Sequence, residues 1–166
     1  EDLRLKPYEL FGKWHVGYGH LLSSPLEMGT ITEAKADALL GQDIEKSENA
    51  VNRFVKVKLN QDQFDALVDF TYNRGSGTLQ DSTLLKRINA GGSKKEIEAA
   101  FLMHNKAGGQ VNEGLTKRRQ YEADLFNGNP VQRFYTKNKR AVQVGATLII
   151  IVIVIILIWR WNKNRK

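Results

Sequence analysis

The sequence predicts a mainly helical α+β domain, with one small β element near its start and a single C-terminal transmembrane helix. Three observations predict it. Amphipathic segments with apolar residues at helical spacing follow one another from about residue 32 to residue 128. The stretch "WHVGYGHL", residues 14–21, alternates weakly and is rich in aromatic residues and glycine, which suits a strand and tight turns. Residues 141–159, "AVQVGATLIIIVIVIILIW", carry no charge at all.

The helices can be taken in order. Thr32 is a good N-cap for a helix carrying Leu39, Leu40 and Ile44. Asn60 with Gln63 makes a capping box, in which each residue satisfies an orphan donor of the other. The helix behind it places Phe64, Leu67, Val68, Thr71 and Tyr72 on one face. Ser82 or Thr83 caps a further helix with Leu84, Leu85 and Ile88 inward, and Gly91 is placed to stop it. Ser93 with Glu96 is a second capping box, ahead of Ile97, Ala100 and Phe101. A last helix follows Gly114 and ends near Gly128.

"NGNP", residues 127–130, is rich in turn formers and marks a boundary. It divides the chain into a domain over 1–129, a basic linker over 130–140, a span over 141–159 and a basic tail over 160–166. Nineteen uncharged residues make a helix of ~28 Å, about the hydrocarbon thickness of a bilayer. In lipid the backbone must satisfy its own hydrogen bonds, so helix wins despite the β-branched content. Trp159 and Trp161 suit the headgroup region. Arg133, Lys137, Lys139 and Arg140 precede the span, and Arg160, Lys163, Arg165 and Lys166 follow it. Four basic residues on each side leave orientation open. A lipid bilayer is therefore an expected partner, through residues 141–159.

Charge follows the same division. All 18 acidic residues lie in 1–129 with 17 of the 25 basic ones, whereas 130–166 holds eight basic residues and no acid. The near-neutral domain gives no electrostatic argument for a nucleic-acid partner. There is no cysteine, and the three histidines, His15, His20 and His104, lack metal-ligand spacing. No metal and no cofactor is expected.

Five ordered blocks point further. "EDLRLKPY…GYGH", "ITEAKADALL", "LNQDQFDALVDFTYNRGSG", "STLLKRINAG" and "NKAGGQVNEGLTKRRQYE" resemble the phage-type lysozymes, the endolysins of tailed phages. The resemblance covers nearly all of 1–129. It implies a two-lobed lysozyme-like fold, a small β-hairpin lobe and a larger helical lobe with a glycan groove between them. It implies hydrolysis of the β-1,4 bond between N-acetylmuramic acid and N-acetylglucosamine, with bacterial peptidoglycan as partner. Such cleavage needs one acid for the leaving oxygen and a second group for the anomeric carbon or the attacking water.

Carried over residue by residue, Glu1 matches the family's general acid. The family has a helix before this glutamate, so sequence is expected upstream of it. The second acid, an Asp two residues after the Tyr, falls at Leu10. The segment is one residue shorter than the family pattern, however, and Glu9 lies six positions before His15 as the family's Asp lies before its water-holding Thr. On that alignment Glu9 takes the Asp role and His15 replaces the Thr. An imidazole can accept a proton where a hydroxyl cannot do so well. The expected catalytic set is thus Glu1 as acid, His15 as general base and Glu9 orienting water or stabilising positive charge. A nucleophilic His15 would instead retain configuration. Leu21, Tyr72, Asn73 and Ser82 fall at substrate-binding positions. His20 fixes the Gly-x-Gly-His turn, and His104 is a groove-wall or core residue. Arg118 and Arg119 are placed to pair with acids behind the site, while Lys117 is a solvated face.

The expected function is a membrane-anchored muramidase of phage origin. Its place is a virion membrane or the host inner membrane, for genome delivery or for host lysis, with other virion proteins as further candidate partners. Two alternatives stand beside it. One is a lysozyme-fold structural or glycan-binding virion protein that no longer cuts. The other is a lytic transglycosylase, which needs no attacking water.

Overall fold

A computed structural model describes residues 2–128, which lie within one compact unit. Glu1, the linker 130–140, the predicted span 141–159 and the tail 160–166 lie outside the described residues. Among the described residues no helix is long and apolar enough to cross a membrane.

The chain opens with an antiparallel sheet of β1 (Arg4–Leu10), β2 (Lys13–Gly17) and β3 (His20–Leu22), in that order. Six helices follow: α1 (Glu33–Phe54), α2 (Gln61–Arg74), α3 (Ser76–Asp81), α4 (Thr83–Asn89), α5 (Lys94–Leu102) and α6 (Glu113–Asn127). Between α5 and α6 the chain makes a second, two-stranded hairpin, β4 (Lys106–Ala107) with β5 (Gln110–Val111). The sequence predicts one β element; here there are two, and the second turns on Gly108 and Gly109, both at positive φ. Such a pair is the natural residue choice for a two-residue hairpin loop. Helix α3 is likewise absent from the sequence reading; it is a six-residue segment, too short to show a period.

The helix starts follow local chemistry. Thr32 Oγ1 accepts from Lys35 N, and both capping boxes, Asn60–Gln63 and Ser93–Glu96, are fully formed. Ser82, rather than Thr83, caps α4. Helix α6 begins at Glu113 behind Asn112 and ends at Gly128 in the left-handed region.

Two apolar clusters hold the unit. The larger lies among all six helices, around Leu67, Phe70, Leu84 and Phe101, all fully buried. Phe70 meets Phe101 edge to face at 5.8 Å between ring centroids. On α2 the buried residues are Ala66, Leu67, Phe70 and Thr71, while the predicted Phe64, Val68 and Tyr72 are half-buried. The smaller cluster joins the sheet to α1 through Val16, Leu22 and Leu39, with Trp14, Met28 and Ile31 packed against it. Gly17 makes that approach possible. Its φ is +65°, and a Cβ there would sit 3.2 Å from Ala36 Cβ on α1.

Candidate active site

The β1–β2 register sets which side chains can meet. Tyr8 pairs with His15, Glu9 with Trp14 and Leu10 with Lys13, and on the far side His15 pairs with Leu21. Paired residues share a face of the sheet and successive residues alternate. One face therefore carries Trp14, Val16 and Leu22 inward against α1. The outward face carries Leu10, Lys13, Tyr8, His15 and Leu21. The structure thus brings His15 and Leu21 together and puts Glu9, which is exposed, on the opposite face from His15.

His15 is held firmly. Its ring stacks on Tyr8 at 5.6 Å and 27°, and Arg4 lies over the other ring of that pair, 4.5 Å from the Tyr8 centroid. His15 Nδ1 lies 3.0 Å from Lys13 O. A carbonyl oxygen can only accept, so Nδ1 carries the hydrogen in this bond. In the neutral imidazole Nε2 is then the nitrogen with the lone pair.

The end of α2 comes up against the β2–β3 turn. Tyr72 donates its hydroxyl to Tyr18 O at 2.6 Å. Next to it, the buried Asn73 Oδ1 has no hydrogen-bond partner. Ser82 is buried, and its hydroxyl donates to Leu79 O while accepting from Leu85 N. Its hydroxyl thus joins the end of α3 to the start of α4, and its one hydrogen is committed there. His20 Nδ1 bonds Asp43 Oδ2 on α1 at 2.7 Å, and Lys46 reaches Asp43 Oδ1 at 2.9 Å, so His20 ties the turn to the helix.

A buried charged network lies between α2 and α6, and sequence reasoning found only half of it. Arg118 grips Asp69 through Nε at 3.0 Å and Nη2 at 2.7 Å. Arg119 and Glu122, both fully buried, pair with each other. Burial is the main force on Glu122 and pushes its carboxyl up to about 9, helped by the hydrogen bond to Asp69. Burial also acts on Asp69, but the hydrogen bonds from Glu122 and Arg118 outweigh it and hold that carboxylate below its ordinary range. Burial and the neighbouring Asp69 thus favour the protonated carboxyl at Glu122, against the opposing charge of Arg119. Arg119 also sits over the Phe70 ring at 4.9 Å, and its Nε and Nη1 lack hydrogen-bond partners. His104 meets Phe70 edge-on at 4.9 Å. Burial first, then the charges of Arg74 and Arg119, hold its imidazole below the ordinary value. Lys117 pairs with Glu113 in solvent at 2.6 Å. The one signal for Glu122 was its spacing three residues after Arg119 on a helix.

Among the described residues no three His, Asp or Glu side chains converge as metal ligands. A hollow of about 380 Å³ opens between the end of α1 and the start of α2. Apolar and amide side chains such as Val55, Asn60 and Phe64 line it, and no predicted site residue does.

A short three-stranded sheet against a helical body defines a lysozyme-like α+β protein. The family comparison agrees: the model of the family described as phage lysozyme matches residues 1–122, and the chain belongs to that family. It is 43% identical over 129 residues to an endolysin of Bacillus phage B103, covering 76% of this chain and 49% of that protein. It is 40% identical over 134 residues to an endolysin of Acyrthosiphon pisum secondary endosymbiont phage 1, covering 76% and 88%. Among solved structures, the muramidase domain of SpmX from Asticaccaulis excentricus superposes with a TM-score of 0.65 at 38% identity, over 76% of this chain and 88% of that one. The chain spans about half the length of the first two curated relatives it matches.

Proposed function

We propose that this chain is a membrane-anchored muramidase that hydrolyses the β-1,4 bond between N-acetylmuramic acid and N-acetylglucosamine in bacterial peptidoglycan. Family membership supports the reaction class. The observation that carries the mechanism is His15, oriented by Tyr8 and Lys13 O with Nε2 as its basic nitrogen, on the same sheet face as Leu21. Glu1 protonates the leaving oxygen, His15 takes the proton of the attacking water, and the glycan lies against Leu21 with Tyr72 and Asn73 at its edge. Glu9 contributes charge from the other side of the hairpin. The uncharged run over 141–159 supports the anchor, and the ten or so residues of linker keep the work close to a bilayer. A virion membrane or the host inner membrane both suit this, for genome delivery or for lysis.

One observation favours a second reading. Glu9 and His15 project from opposite faces, so the two groups that would handle water are parted. A wall-binding lysozyme fold that no longer cuts would tolerate that separation. Mass spectrometry of purified peptidoglycan incubated with the chain, Glu1→Gln and His15→Ala decides. Reducing muropeptides that vanish with Glu1→Gln establish the hydrolase. An uncut wall that still retains the chain establishes the binder, and anhydro ends establish a transglycosylase.

A further inference from the structure

Phe11 stands where the backbone asks for another residue. The β1–β2 loop is two residues long, since Leu10 pairs with Lys13, and both loop residues have positive φ, 52° at Phe11 and 74° at Gly12. That is the turn for which Asn-Gly is preferred. Among the described residues Phe11 is the one non-glycine with positive φ, and a bulky side chain there is strained. It is also 73% exposed and takes no part in either apolar cluster. Two costs meet at one residue, and packing returns neither. Beside it, Leu10 is 47% exposed on the outward face, as Leu21 is at 55%.

We propose that Phe11 and Leu10 form a sugar-binding platform that carries the glycan surface of His15 and Leu21 out to the hairpin tip. This rests on the glycan reading of that face given under Proposed function. The chemistry fits a sugar polymer. A pyranose offers an apolar C–H face rimmed by hydroxyls, and aromatic and aliphatic surface bordered by polar groups binds such an object. Here Phe11 and Leu10 supply the apolar part, while Lys13 on the same face supplies a donor for sugar hydroxyls. From His15 to the turn is about 10 Å of strand, room for a further sugar beyond the one at His15.

The test uses the full chain in non-ionic detergent, in a Glu1→Gln background, pelleted with protein-free insoluble peptidoglycan. Phe11→Asn is expected to weaken pelleting about tenfold, the effect of one lost contact of ordinary size. The same variant is expected to raise the melting temperature by about 3 °C, because Asn accepts the left-handed turn. Phe11→Trp keeps the platform and is expected to pellet at least as well as the parent. Leu26→Asn, 92% exposed and outside the hairpin, controls for simple loss of apolar surface and is expected to change nothing. Equal pelleting of parent and Phe11→Asn overturns the platform alone, and leaves the tip as a contact for lipid or another protein. Equal weakening by Leu26→Asn overturns it too. A parent chain that does not pellet overturns the glycan reading itself, and the platform with it.

Discussion

Replacing Glu122 by glutamine separates two ways of burying a carboxyl beside a guanidinium. If Glu122 holds its proton, as burial and the bond to Asp69 dictate, glutamine copies it: the amide N–H faces Asp69 and the carbonyl faces Arg119. If instead Glu122 is ionised, glutamine strands the fully buried Arg119 charge, at a cost of about 3–5 kcal/mol. The pH dependence sharpens the choice. The carboxyl titrates at about 9 in the folded chain against 4.5 when unfolded, so between those values the folded state holds one more proton. Stability contributed by this group is complete below pH 4.5 and falls as pH rises, by about 1.4 kcal/mol per unit. Between pH 5 and 7 the loss is about 3 kcal/mol. Asp69 works in the other sense, but its depressed value places its effect in more acid solution, outside this window. Urea unfolding of wild type and Glu122→Gln at pH 5, 6, 7 and 8, followed by far-UV circular dichroism, reads the difference. The variant is expected to match or exceed wild type at pH 7 and to lose the downward slope. A variant weaker by 3 kcal/mol or more at pH 7, with the slope unchanged, would refute the protonated carboxyl.

Three further outcomes are expected. Tyr72→Phe removes the hydrogen bond to Tyr18 O and costs about 1 kcal/mol in urea unfolding, with faster amide exchange in the β2–β3 turn. Ser93→Ala deletes one side of the α5 capping box and lowers stability by about 1 kcal/mol; an unchanged midpoint would mean the box is closed by water instead. Phe101→Ala opens the larger apolar cluster beside Phe70 and Phe126 and costs about 3–5 kcal/mol, visible as loss of the cooperative thermal transition near physiological temperature.

The helical part of the fold was legible because its signals are local. A cap and the residue three positions on are read within one turn of chain, and Thr32, Asn60 and Ser93 all behave as their neighbours require. The sheet was less legible because its decisive fact is a register. Counting six positions from Glu9 to His15 treats the segment as a line. The two-residue turn at Phe11–Gly12 folds that line and pairs His15 with Tyr8 instead. Phe11 also hides the turn, since phenylalanine is not a residue by which such loops are recognised. Of the site, His15 and Leu21 lie side by side as neighbours on one face, Tyr72 reaches the turn, and Ser82 is a buried cap. The Asp69–Glu122 contact escaped because it joins residues 53 positions apart whose charges, in isolation, look like ordinary helix surface.

A strand has only two sides, so the loss of a single residue is a reversal rather than a small displacement. The two-residue turn pairs each even-numbered position of β1 with an odd-numbered one of β2, so Glu9 and His15, both odd, part to opposite faces whatever side chains they carry. One residue more in that turn would exchange the faces, so the length of the loop, and not the chemistry of the strands, decides which acid shares a side with His15.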